Sequence, residues 1–374
     1  MRHPTIVLAA ALLGPFAQAQ EPPGQWTFAA DLLRPFWLST TMHEESVLFV
    51  KDEAAELLFA PVKILSVRDS SGRVTYQEGK DYVLKPGARS ITLPAGSAIR
   101  VSSPQDLRRP AKSQQFNLTH RDGGDEILFG GGHEYHDLQT LITYEHRPGA
   151  WAGSVPKFAE KLLPRTLARL KEKKPLAITL LGDSISTGCN ASGWAKTAPF
   201  QPAYPELFAM NLESAYGAKV TVVNLAVGGT TSAWGLQTIG KVIEAKPDLV
   251  ILAFGMNDAG GVPAADYQAN TKGMLAAVGK ALPEAECILV ASMLGNEDWT
   301  ALRRERFPEF RDALAALVRP GVALADMTTV WIEMRKRKKD RDLTGNGVNH
   351  PNDFGHRVYA QVLSSLLIRY PARD

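Results

Sequence analysis

Two patterns of apolar and polar positions divide the chain near Trp151. From about residue 25 to 145, short β-branched runs such as "SVLFV", "AELLFA", "KILSVRD", "DYVLKPG", "SITLPAG", "AIRVSS", "EILFGG" and "LQTLITYEH" follow one another. Turn chemistry separates them, for example Asp69-Ser70-Ser71-Gly72 and Pro86-Gly87, and no helical period is sustained. Short strands at this spacing predict an all-β sandwich, jelly-roll-like, over residues 20–150.

Beyond Trp151 the period changes. Residues 151–174 read as a helical connector broken at Pro164. From 175 to 374, near-continuous apolar runs at about 176–181, 220–225, 249–254, 288–291 and 322–325 alternate with amphipathic segments. One segment places Tyr204, Leu207, Phe208 and Leu212 on one face; the last does so with Val358, Val362 and Leu366. Apolar strands alternating with helices predict a three-layer, doubly wound parallel sheet, α/β in class, whose ligands bind beyond the carboxyl ends of the strands.

Composition changes this picture little. Of 374 residues, 45% are hydrophobic and 22% charged, and the net charge of +3 is scattered. The one dense basic run, "RKRKKDR" at 335–341, lacks interleaved aromatics, so it reads as solvated surface and no nucleic-acid partner is expected. Residues 1–19 show a charged start, a short apolar run and a small-x-small end at Ala17-Gln18-Ala19, the form of an export signal. A secreted or periplasmic address without membrane insertion follows as an expectation. Cys189 and Cys287 are read as free thiols, although one bridge between them is not excluded by spacing.

Candidate chemistry sits at the strand ends. "LLGDSIS" puts Ser184 on a glycine-containing turn, "NLAVGGTTS" brings Gly229 after the second strand, "AFGMNDAGG" brings Asn257 after the third, and "VNHPND" brings His350 after the last. Each is a weak signal singly. In this order and at these positions the set resembles the SGNH (GDSL) hydrolase superfamily. The resemblance implies Ser184 as nucleophile, His350 as base, and an oxyanion hole of the Ser184 amide, Gly229 and Asn257, with no metal and no cofactor. The two-part architecture looks like that of bacterial carbohydrate esterases, implying an acylated carbohydrate or other small ester as substrate. A lipase or thioesterase of the same superfamily, or a silent carbohydrate-binding protein, are the alternatives.

One departure from the family is plain. Where it carries Asp three residues before the histidine, this chain has Gly347. A backbone carbonyl is expected to hold His350 instead, with Asp342 and Asp326 as the carboxylates to consider, and His356 as a capping or packing residue or a substitute base. Asn296, Trp299, Trp194 and Trp234 are candidates for contact with substrate. The cluster His133, Glu134, His136 and Asp137 lacks metal-ligand spacing and is read mainly as polar structure, or as a loop reaching the active site. The N-terminal half is expected to fold separately and to supply no catalytic residue.

Overall fold

The computed structural model describes residues 24–116 and 118–371; the proposed export signal lies outside the described residues, as does Asn117, whose "NLT" pattern matches a glycosylation acceptor. Five apolar runs of the C-terminal half become β9 (Leu176–Gly182), β10 (Val220–Asn224), β11 (Leu249–Ala253), β12 (Glu286–Ala291) and β13 (Val322–Asp326), after the eight strands of the N-terminal half introduced below. They form one parallel sheet in the order β10-β9-β11-β12-β13. The chain steps from β9 to one side and then crosses to β11 on the other. That reversal opens a crevice at the carboxyl ends of β9 and β11.

The helices are α1 (Pro164–Lys171), α2 (Tyr204–Tyr216), α3 (Ser232–Thr238), α4 (Gly240–Glu244), α5 (Ala264–Ala281), α6 (Arg306–Ala315), α7 (Met327–Arg335), α8 (Asp340–Leu343) and α9 (Asp353–Leu367). α2 packs on α9, while α3 and α6 both pack on α5. Pro164 does not break the connector. It occupies the first turn of α1, where a missing N–H costs nothing, and the residues before it are not helical.

The N-terminal half comprises β1 (Thr41–Val47), β2 (Ala55–Glu56), β3 (Pro61–Asp69), β4 (Val83–Leu84), β5 (Ser90–Thr92), β6 (Arg108–Pro110), β7 (Asp125–Ile127) and β8 (Thr140–His146). They are antiparallel, in sheets ordered β1-β8-β3, β2-β5-β4 and β6-β7. Two strand readings change. "SVLFV" gives the last two residues of β1 and then Val50, which bridges Ser102. "AIRVSS" makes only one isolated bridge, Ser102 with Val50, while the Asp81 carboxylate takes the Ala98 N–H at 3.2 Å.

The two halves share one core. Phe36, Val47, Phe59 and Tyr144 share one continuous buried cluster with Leu180, Ile251, Trp331 and Val362. α9 shows the consequence: all fifteen of its residues are buried, not only the Val358, Val362 and Leu366 face. Its polar side is covered by the N-terminal half, where Arg357 meets Glu44 at 3.1 Å, and Gln361 accepts the Phe36 N–H at 3.3 Å and donates to Leu32 O at 3.2 Å.

A second buried charge crosses the same seam. Lys338 Nζ lies 2.8 Å from Glu45 on β1, both side chains fully buried, and also donates to Glu56 O at 2.9 Å. Glu45 receives the Tyr144 hydroxyl at 2.6 Å and the Leu58 N–H at 2.9 Å. Removing one member strands the other charge away from water, which costs about 3–5 kcal/mol. Glu45→Ala is therefore expected to lower the unfolding free energy by roughly that amount, read from the denaturant midpoint at unchanged slope. A loss below about 1 kcal/mol would mean that water reaches Lys338.

Candidate active site

Ser184 stands on a turn that has almost no freedom. Gly182 ends β9 where an added Cβ would lie 2.6 Å from Ala253 O on β11 and 2.5 Å from Ser186 Oγ, so only glycine fits. The Asp183 carboxylate accepts the Ile185 N–H at 3.0 Å and also the Met256 N–H, tying the Ser184 turn to the loop after β11. Burial, reinforced by the charge of Asp258, pushes the Asp183 carboxyl up to about 7. The Ser184 carbonyl accepts Thr187 Oγ1 at 2.8 Å and Cys189 N–H at 3.2 Å, closing the turn.

The two loops read as oxyanion donors converge on this turn. Val227 N–H bonds Gly182 O at 3.0 Å, fixing the "AVGG" loop to the end of β9. A Cβ on Gly228 would sit 3.7 Å from Ser184 Cβ. Gly229 has φ +76, a left-handed conformation that glycine adopts without strain, and open space on its Cβ side. Asn257 Nδ2 donates to Thr230 O at 2.8 Å, so the loop after β11 holds the loop after β10.

His350 reaches Ser184 with Nε2 2.9 Å from Oγ. Its loop is folded around Asn346, whose side-chain oxygen accepts the N–H groups of Val348, Asn349 and His350 at 2.9, 3.0 and 3.2 Å. Both partners are well covered, Ser184 being 7% and His350 8% exposed. Burial pushes the His350 imidazole down to about 3, with a small push from His356 in the same direction, so the ring is neutral at ordinary pH.

At the far nitrogen the expectation fails. Nδ1 meets neither a backbone carbonyl nor an aspartate; it lies 2.7 Å from the side-chain oxygen of Asn190 and 3.0 Å from Asn346 Nδ2. Asp342 instead accepts the N–H groups of Leu48 at 2.9 Å and Lys339 at 3.0 Å, at the seam with β1. Asp326 caps α7 through Thr329 and pairs with Arg311 at 2.8 Å. His356 is buried in α9 and stacked on Tyr204, a packing residue. Asn190 escapes sequence reasoning because it lies in an aperiodic stretch after the serine turn. Its one local trait is φ +64, a conformation asparagine tolerates better than most residues.

The remaining candidates divide. Asn296 braces the histidine loop, with Nδ2 on Gly347 O at 2.8 Å and Oδ1 taking the Asp298 N–H at 2.9 Å. Trp299 packs on Leu118, Ile127 and Val348, and Trp234 against Phe254; both serve packing. Trp194 is 43% exposed and stays available to a ligand. His133 pairs with Asp137 at 2.7 Å while His136 faces Ala198 O at 3.0 Å, so the two histidines serve different neighbours. The loop they belong to does reach the site, through Gly130 and Gly132, whose carbonyls accept Asn190 Nδ2 at 2.9 and 3.3 Å. Cys189, half-buried, and Cys287, buried, are free.

Solved structures with a similar arrangement include a two-domain esterase active on acetylated mannans, at 23% identity and TM-score 0.45 over 57% of this chain and 54% of that one. This chain thus spans about half the length of that relative. An acetylxylan esterase from Geobacillus stearothermophilus matches at 19% identity and TM-score 0.42, over 52% of this chain and 95% of that one. A lipase from a goat rumen metagenome does so at 19% and 0.42, over 51% and 97%. No curated protein matches the sequence. Residues 180–358, from within β9 to within α9, match the GDSL-like lipase/acylhydrolase family model.

Proposed function

We propose that the protein is an exported serine esterase that removes short acyl groups, chiefly acetyl, from carbohydrate. The observation that carries this reading is the 2.9 Å contact between Ser184 Oγ and a buried, neutral His350 at the mouth of a parallel sheet. Ser184 Oγ attacks the ester carbonyl carbon while its proton passes to His350 Nε2. The carbonyl oxygen becomes an oxyanion facing the N–H groups of Ser184 and Gly229 and the second amide hydrogen of Asn257. Collapse breaks the C–O bond, and His350 returns the proton to the departing alcohol oxygen. Water, deprotonated by His350, then releases the acid from Ser184.

A carbohydrate substrate is supported by the exposed Trp194 and by the surroundings of the histidine loop. A cleft of about 280 Å³ borders that loop at Gly347, away from Ser184 itself, and Arg108, Asn296, Glu297, Arg335 and Asp340 make its lining polar. Such a lining suits a hydrated sugar better than a long acyl chain. Among the described residues no helix is long and apolar enough to cross a membrane. Export is inferred from the leader pattern of residues 1–19.

Ser184→Ala should abolish acetate release from acetylated glycans and from a small aryl acetate while leaving the unfolding transition in place. More than a few per cent of residual turnover in a pure sample would move the nucleophile elsewhere. A preference for long over acetyl esters would instead favour a lipase.

Asn257→Ala is expected to reduce kcat by roughly 10²–10³ with little change in KM, as for a donor engaged mainly in the transition state. A raised KM at constant kcat would make Asn257 a ground-state binding residue.

The depressed His350 sets a pH dependence. The base must be neutral, and it stays neutral until the pH falls far below the ordinary histidine value. For an aryl acetate, kcat/KM should therefore hold as pH drops through 6.5 and be lost only towards about 3. An acid limb at 6.5 or above would require a negative charge at the ring.

A further inference from the structure

We propose that Asn190 is the positioning residue of His350, a neutral acceptor in the acid's place, and that two carbonyls of the N-terminal half orient it. The proposal rests on the serine-esterase reading above.

Hydrogen bonding decides which way the Asn190 amide points. One end faces Gly130 O at 2.9 Å and Gly132 O at 3.3 Å. Both are acceptors only, so that end must be the NH₂ group. The other end is then the oxygen, 2.7 Å from His350 Nδ1. Two acceptors do not approach so closely, so Nδ1 carries the proton and Nε2, facing Ser184 Oγ, is left with its lone pair. That is the tautomer a general base needs. Asn346 pulls the other way: its Nδ2, 3.0 Å from Nδ1, is a donor and favours a proton on Nε2. Asn190 outweighs it only while its amide is held.

The same N-terminal residues account for the missing aspartate. Gly347 has φ +81, and a Cβ there would lie 2.6 Å from Leu128 O and 2.7 Å from the Tyr135 ring. The space for an acid at that position is filled by the β domain. Gly345 is pressed likewise, its Cβ position lying 2.7 Å from Asn190 O. Gly130 N–H bonds Asn346 O at 3.0 Å, so one short turn braces both residues that meet Nδ1. Asn190 itself is 3% exposed. A carboxylate would suit this place poorly, since one of its oxygens would face two carbonyls. Among the described residues no carboxylate contacts the ring, and the charged form of its titratable neighbour His356 is disfavoured by burial, which pushes that group down to about 4.

The test measures kcat, KM and the pH profile of kcat/KM on the full chain with an aryl acetate. In Asn190→Ala, Asn346 alone addresses Nδ1 and the ring turns to the unproductive tautomer. A fall in kcat on the order of 10²–10³ is expected, with KM within about threefold. Asn190→Asp restores an acceptor and adds a charge within hydrogen-bond reach. It should recover part of kcat and move the acid limb up by about 1 pH unit or more, a shift that a merely structural role would not produce. Nitrogen NMR of the unsubstituted protein at neutral pH, with the resonances assigned by their loss in His350→Gln, should show Nδ1 protonated and Nε2 bare. The proposal is overturned by a folded Asn190→Ala protein that keeps kcat within about fivefold. It is equally overturned by an unmoved acid limb in a folded Asn190→Asp protein, or by a proton on Nε2. If Ser184→Ala is inactive while any of these occurs, only the role of Asn190 fails. If Ser184→Ala remains active, the esterase mechanism fails first.

Discussion

Two glutamates side by side on β1 face different partners, and both partners are buried cations from the C-terminal domain. Glu44 meets Arg357 on α9, and Glu45 meets Lys338 beyond α7. Neither cation has bulk water as an alternative, since Arg357 is 2% and Lys338 1% exposed. Buried pairs of this kind add little net stability compared with apolar packing, but misalignment is heavily penalised because a displaced charge remains desolvated. β1 can therefore dock in one register only. From that register follow the burial of α9, the seat of Asp342 against Leu48, and the approach of the Gly130–Gly132 turn to the serine-histidine pair.

The seam also explains why glycine stands at position 347, where the resemblance leads one to expect an aspartate. The acid of such a site normally belongs to the same loop as the histidine. Here that loop is pressed by Leu128 and Tyr135, and its glycines are required by contact. On the reading proposed above, orientation of the ring passes to Asn190, six residues after Ser184. Chemistry at one nitrogen has been rearranged by packing against a neighbouring domain.

What was legible in the sequence follows from the range of the forces involved. Parallel strands covered on both faces need unbroken apolar runs, so β9 to β13 could be read within a residue or two of their ends. Ser184, Gly229 and Asn257 lie just past the ends of β9, β10 and β11, and His350 lies in the loop before α9, so short motifs mark all four positions. The N-terminal strands were blurred, since a two-residue strand such as β2 leaves no period to detect. Asn190 was not legible: its partners lie 60 and 160 positions away in the chain. Trp299 and Asn296 misled for the related reason that a strand-end loop may face a neighbouring domain as well as a ligand.

The burial of α9 bears on how the protein comes into being. This helix is the last regular element among the described residues, and His350 lies just before it. Its whole surface is enclosed by segments made earlier, including residues near the start of the described chain such as Leu32 and Phe36. During synthesis the earlier segments must wait with an unfilled slot, and no partial product can bring His350 up to Ser184. On the proposed reading, hydrolytic competence arrives in one step, when α9 slides home.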